Sequence, residues 1–312
     1  MSKVICGVDV SKGKLDAHAA PAGVFQSFGN DADGIAQLIA FCQEHSVELC
    51  VMEATGGLER LAYTLLWEAE VPSAIVNARN VRDFARAMGF LEKTDRIDAG
   101  VIAHYAGTKG IVPSEPLSAE AVRLKALAGR LRQITSDLVV QKQRRSSVHD
   151  AVALASLDAL ILFLKRQQTQ IADTIGTMIQ ADPLWAKLDA TFRTIKGVAG
   201  RTVAYLMAEV AEIGLLSNKA ISKIVGLAPL ADDSGKRNGQ RHIRGGRSGP
   251  RSILFLVAQI AAKYDPDLKA FQQRLLAKGK PKMVVRTALA HKLIVWLNAK
   301  ARDARKELAM QA

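Results

Sequence analysis

An α/β domain followed by a long helical region is the fold class this chain predicts, on three observations. Short apolar runs alternate with helical periodicity through the first third. Past Pro113 and Pro116 the strand signals stop and heptad-like apolar spacing takes over. The chain has 312 residues, 49% of them hydrophobic, enough for about two domains that each bury a core.

The elements follow in order. Val4 to Val10 is a short apolar run, with Lys14 to Ala20 and Val24 to Phe28 as its antiparallel partners. Asp31 to His45 places Ile35, Leu38, Ile39, Phe41 and Cys42 at helical spacing. Glu48 to Glu53 reads as a strand, Leu58 to Glu70 as a helix and Ala74 to Asn77 as a strand. A further helix runs from about Thr94 to Tyr105, with Thr94 as N-cap. Three strands, helix, strand, helix, strand, helix is the order of a ribonuclease H-like domain. In such a sheet the first and fourth strands lie side by side.

From Leu124 a heptad spacing continues through Leu127, Leu131, Ile134 and Leu138. It breaks at Gln141 and Arg145 and is expected to recover at Val148 and Val152. A second apolar helical series spans Ser156 to Ile179, so the middle of the chain predicts a helical hairpin or coiled-coil arm, with an ordinary pair of core helices as the alternative. The rest, from about Pro183, reads as mostly helical. The expected division is 1–112, 117–182 and 183–312.

A net charge of +13 and a pI near 9.8 favour a polyanionic partner, because each neutralised phosphate releases condensed counterions. Nucleic acid is preferred over an anionic membrane, since no amphipathic segment sets basic residues opposite large apolar ones. Cys6, Cys42 and Cys50 fall within apolar or helical patterns without CxxC spacing and read as reduced core residues of a cytoplasmic protein. The opening MSKVICGVDVSK has no secretory apolar region, and Ile253 to Ala262 is too short to span a bilayer. The six histidines form no HxH or HxxxH pair, which disfavours zinc, and His104 reads as a packing residue. Aromatics at 5% disfavour base stacking as the main recognition mode.

Four carboxylates carry the chemistry: Asp9 in GVDVSK, Glu53 in CVMEATGG, and Asp95 and Asp98 in KTDRIDA. Each sits at the edge of an element, and a spacing of three puts Asp95 and Asp98 on one helix face. Taken singly they are a strand-edge acid or ordinary helix N-terminal enrichment. Drawn together they repel unless a cation neutralises them, and Mg²⁺ is the usual ion for oxygen-only sites serving phosphate chemistry, with Mn²⁺ as a substitute. Asp16, Asp31 and Asp33 are expected in turn or exposed strand positions and receive no role.

The second informative segment is SGKRNGQRHIRGGRSGPR. Lys236, Arg237, Arg241, Arg244, Arg247 and Arg251 are interleaved with glycines and no acid, which suits a loop that lets backbone amides and guanidinium forks approach phosphates. Ser234 heads this loop. Beside arginines its hydroxyl is able to attack a phosphodiester, yet the residues alone favour an ordinary turn, and Ser248 and Ser252 are nearby alternatives.

Together GVDVSK, MEATGG, KTDRIDA and GLAP followed by SGKRNGQRHIRGGRS resemble the DEDD transposases of the insertion-sequence one-ten family, which includes Piv-type DNA invertases. The resemblance spans nearly the whole chain. It implies a RuvC-like N-terminal domain, a coiled-coil arm and a C-terminal transposase domain. Asp9, Glu53, Asp95 and Asp98 match the family's metal-binding tetrad, and Ser234 matches the serine that bonds covalently to DNA. The resemblance further implies DNA as substrate, a structured non-coding guide RNA (the bridge RNA) and a dimer or tetramer. Two departures touch the C-terminal domain: Gly197-Val198-Ala199-Gly200 is a looser glycine turn, and Arg244 stands where serine is frequent. The rival reading is a Mg²⁺-dependent nuclease or Holliday-junction resolvase that uses water as nucleophile. A sugar kinase of actin-like fold lacks its repeated half here, and tyrosine recombination lacks the HxxR expected before Tyr264.

Overall fold

The computed structural model describes residues 3–90, 92, 94–234, 239 and 241–311. They divide into two compact units, Met1–Leu117 and Ser118–Ala312. In the first, β1 (Ile5–Val10), β2 (Lys14–Ala20) and β3 (Val24–Gly29) form an antiparallel meander. Then come α1 (Ala32–Glu44), β4 (Leu49–Glu53), α2 (Arg60–Glu68), β5 (Ser73–Val76), α3 (Ala78–Ala87) and α4 (Asp95–Lys109). The sheet order is β3-β2-β1-β4-β5, with β1 parallel to β4 and β4 parallel to β5. This matches the ribonuclease H-like arrangement, with the first and fourth strands adjacent.

The two-residue period of β1 sorts its side chains between two cores. Cys6, Val8 and Val10 join Leu15, Ala17, Ile35, Leu38 and Leu66 on one face. Ile5 joins Leu49, Val51, Val101 and Ile102 on the other, under α4. Gly7 shares the α4 face, and a Cβ there would lie 2.2 Å from the Ala99 carbonyl oxygen and 2.5 Å from the Ala103 nitrogen. The helix therefore rests directly on the strand. Gly7→Ala is expected to lower unfolding free energy by about 3 kcal/mol, since backbone on both sides leaves no rotamer escape. Gly100→Ala, whose Cβ would meet only His18 at 3.8 Å, is the control: denaturant midpoints should show it unchanged or slightly stabilised.

Helix α3 lies outside the sequence expectation. Asn77 caps it by accepting from the Arg79 amide at 2.9 Å, but Val81 is its one fully buried residue, so no apolar stripe marks it.

The second unit comprises α5 (Ala119–Arg145), α6 (Ala151–Ala181), α7 (Pro183–Arg193), α8 (Gly200–Glu209), α9 (Asn218–Ile224), β6 (Pro229–Leu230), β7 (His242–Ile243), α10 (Ser248–Tyr264), α11 (Pro266–Ala277) and α12 (Lys282–Ala309). Ile134 and Leu138 of α5 pack on Ile161 and Leu164 of α6. The heptad does not resume at Val152, which is 79% exposed. Asp150 caps a new helix there by accepting from the Ala153 amide at 2.9 Å, so the chain has already reversed. In α12, Leu289, Leu293, Ile294 and Leu297 are fully buried. Asn298 accepts from the Gly214 amide at 2.8 Å and donates to the Leu216 carbonyl at 3.0 Å, fixing the approach to α9. Among the described residues no helix is long and apolar enough to cross a membrane.

Candidate metal and nucleic-acid sites

Register and packing bring the strand ends and the helix start that carry the four expected carboxylates to one corner of the first unit. Asp9 lies two residues past Gly7, on the α4 face of β1, directly opposite Asp16 of β2. Glu53 stands at the end of β4, one residue past the Val8–Met52 pair of the parallel β1–β4 ladder. Asp95 and Asp98 occupy the first turn of α4, where Thr94 caps the helix by accepting from the Ile97 amide at 3.3 Å. The helix N-terminus favours both acids. The Asp9 carboxyl is raised above its ordinary value, first by burial and then by the charges of Asp98, Asp95 and Asp16. Its neighbours are thus close enough to be felt, although among the described residues no three carboxylates have oxygens all within 4.8 Å of one another.

Three residues given no role from the sequence, Asp16, Ser27 and Lys14, complete this corner. Asp16, expected to be exposed, is only 3% exposed. Ser27 donates its hydroxyl to this carboxylate. The Lys14 ammonium lies 3.2 Å from Asp16 and 3.5 Å from Asp95, tying β2 to the start of α4. Alternation alone sends Asp16 to the face opposite the buried Leu15 and Ala17, and it is the packing of α4 on β2 that covers that face. The MEATGG motif forms the adjacent rim. Buried Glu59 accepts from the Thr55 amide at 3.0 Å and the Gly57 amide at 2.9 Å, which holds the turn after Glu53. His104 packs edge-on against Phe84 with centroids 5.2 Å apart, as its packing role requires.

In the second unit the basic segment runs past a short strand pair, with Pro229 paired to Ile243 and Leu230 to His242, into the start of α10, where Arg247 is the N-cap and Arg251 lies in the first turn. Ser234 is exposed in it. One residue before, Asp233 accepts from the Gly239 amide at 3.1 Å, closing the loop. Lys236 and Arg237 lie outside the described residues. Arg241 and Arg244 are exposed.

Arg247 departs from expectation. Its guanidinium makes a two-pronged pair with Glu212 at 2.6 and 2.8 Å and donates to the Glu209 carbonyl at 2.7 Å, so it anchors the fold instead of waiting for phosphate. Burial pushes the Glu212 carboxyl up, but Arg247, a backbone amide and Lys125 outweigh it and leave the group below its ordinary value. Arg251 is likewise engaged, donating to the Gly245 carbonyl at 3.0 Å. Gly246 packs against Gly226, where a Cβ would lie 2.3 Å from the Gly226 nitrogen. Gly246 therefore serves close packing, whereas a Cβ on Gly245 would meet nothing within 4 Å. Of the alternative serines, Ser252 donates to the Ser248 carbonyl within α10 at 2.9 Å.

Residues 6–152 match a DEDD-type family model described as transposase, and residues 189–273 match one described as transposase of the IS116/IS110/IS902 family. The chain is similar to the pilin gene-inverting proteins of Moraxella lacunata and Moraxella bovis, each 27% identical over 306 residues and covering 94% of both chains. It is also similar to the insertion element IS110 uncharacterized 43.6 kDa protein of Streptomyces coelicolor, 27% identical over 154 residues, 49% of this chain and 37% of the relative. A solved structure of T. thermophilus RuvC in complex with a Holliday junction substrate matches 36% of this chain and 99% of its own, at 14% identity and a TM-score of 0.27.

Proposed function

The chain belongs to the IS110 family of transposases, and we propose that it is a site-specific DNA recombinase joining strands through a serine ester. The observation that carries its metal-dependent part is placement: Asp9 and Glu53 stand on adjacent parallel strands beneath α4, whose capped first turn holds Asp95 and Asp98. A corner of like charges held by Gly7 packing and a capped helix is a poor structural device on its own. It suits oxygen donors awaiting a divalent cation.

Asp9, Glu53, Asp95 and Asp98 would hold that ion, Mg²⁺ with Mn²⁺ as substitute. When bound it supplies charge neutralisation at a scissile phosphate. Lys14 is the residue that must release Asp95, since its ammonium now neutralises part of the same charge. Ser234 Oγ attacks phosphorus and gives up its proton; the bond to the 3′ oxygen breaks, and that oxygen leaves as a hydroxyl. The phosphoserine keeps the bond energy until a 3′ hydroxyl of a partner strand reverses the step. A structured guide RNA fits a basic surface poor in aromatics, which favours backbone and shape contacts. A dimer or tetramer would set two DNA strands side by side for exchange. Inversion, the activity named for the pilin gene-inverting relatives, is one outcome of that chemistry.

The test is recombination between copies of the DNA flanking the gene, in cells supplied with the chain and the flanking transcripts. Loss of product junctions with Asp98→Asn supports the reading, and wild-type junction frequency in that variant would remove the carboxylates from it. The basic loop gives a separate prediction. Arg241→Ala and Arg244→Ala are each expected to reduce the salt slope of DNA binding by about one. Arg247→Ala should leave that slope in place and instead lower stability by about 1 kcal/mol, Glu212→Ala should do the same, and the double variant should lose nothing further.

A further inference from the structure

We propose that Cys6, Cys42 and Cys50 form a buried three-sulfur site for one soft monovalent cation, a cuprous ion. Their sulfur atoms all lie within 4.8 Å of one another, and among the described residues no other set of three or more His, Cys, Asp or Glu ligand atoms converges this closely. Each comes from a different element. Cys6 and Cys50 are register partners on the parallel strands β1 and β4, and Cys42 descends from α1. The residues are 0%, 1% and 0% exposed, and all three thiols are free.

The donor set selects the ion. Sulfur ligands without oxygen exclude hard cations such as Mg²⁺ and favour cuprous ion or zinc. Zinc in structural sites takes four ligands with sulfur at about 2.3 Å, and among the described residues no fourth His, Cys, Asp or Glu joins this group. Cuprous ion is content with three. Sulfur binds the ion as thiolate, so loading releases the thiol protons and is favoured as pH rises.

Placement gives the site a consequence. Cys6 and Cys50 precede Asp9 and Glu53 by three residues on the same two strands, with the sulfurs on the α1 face and Asp9 on the α4 face. Loading would brace β1, β4 and α1 directly behind the strand ends that carry the carboxylates.

The experiment uses the full chain, purified anaerobically in a thiol-free reductant and titrated with Cu(I) against a chromophoric Cu(I) chelator. One equivalent per chain and a higher thermal midpoint are expected, with Zn(II) giving neither. Since loss of an outer-shell partner alone weakens metal sites by 10–100-fold, about tenfold or more is expected from Cys42→Ala and Cys50→Ala. If either variant fails to fold, X-ray absorption at the copper edge of the loaded wild-type chain decides. Three sulfur neighbours support the site. A nitrogen or oxygen shell, no copper retained against the chelator, or unchanged affinity in a folded Cys42→Ala overturns it.

Discussion

Asp9→Asn is expected to reduce DNA strand cleavage and joining by roughly 10²–10⁴-fold, the range that several kcal/mol of lost metal-borne charge stabilisation implies. The same substitution should make the protein more stable at neutral pH. Asp9 binds its proton more tightly in the folded chain than in the unfolded one, because burial and then Asp98, Asp95 and Asp16 raise its carboxyl from the ordinary 3.8. Folding therefore takes up a proton between those two values, and the stability linked to this group is greatest below them and falls as pH rises through them. At pH 7 the ionised carboxylate is a liability that the amide removes. Thermal midpoints measured from pH 3 to pH 8 should show the variant above the wild type at neutral pH, with the gap closing in acid. Added Mg²⁺ should raise the wild-type midpoint more than that of the variant. A variant that is less stable at neutral pH, or insensitive in cleavage, would mean that Asp9 is a structural acid.

That opposition between stability and function also explains what the sequence exposed and what it hid. The strands were legible because the short apolar runs ICGVDV and LCVME carry Asp9 and Glu53 at strand ends, and the topology rule then makes those strands neighbours. Helix α4 was legible from its Thr94 cap. Helix α3 was not, since ARNVRDFARA buries chiefly Val81 and its cap is a single asparagine. Asp16 was missed for a different reason. An acid in a strand reads as exposed unless its partners are known, and Ser27 becomes its partner only once the β2–β3 register is set. Charge density likewise cannot separate Arg247 from Arg241, because Glu212 is 35 residues away in sequence. Local patterns show where charge accumulates, and tertiary pairing decides which of it remains for a ligand.

Ser234→Ala separates the covalent route from its rival most sharply. If the serine oxygen is the nucleophile, recombination should fall by roughly 10⁴-fold or more, on the scale of other nucleophile deletions. Binding of DNA should persist, since Arg241 and Arg244 are untouched. A denaturing gel should show a protein–DNA adduct in the wild type, formed at the strand end that leaves a free 3′ hydroxyl, and none in the variant. A nuclease using water predicts the reverse: cleavage survives Ser234→Ala and no adduct appears in either protein. The controls are Ser248→Ala and Ser252→Ala. Ser252 already donates its hydroxyl to the Ser248 carbonyl inside α10, and both replacements should leave the adduct in place. Loss of the adduct in Ser248→Ala with retention in Ser234→Ala would move the nucleophile from the hairpin loop to the start of α10. Since Ser234 stands in the second unit and the acids in the first, mixing Ser234→Ala with Asp9→Asn protein adds a further discrimination. Sites built from different subunits restore recombination from two inactive variants, whereas sites built within one chain do not.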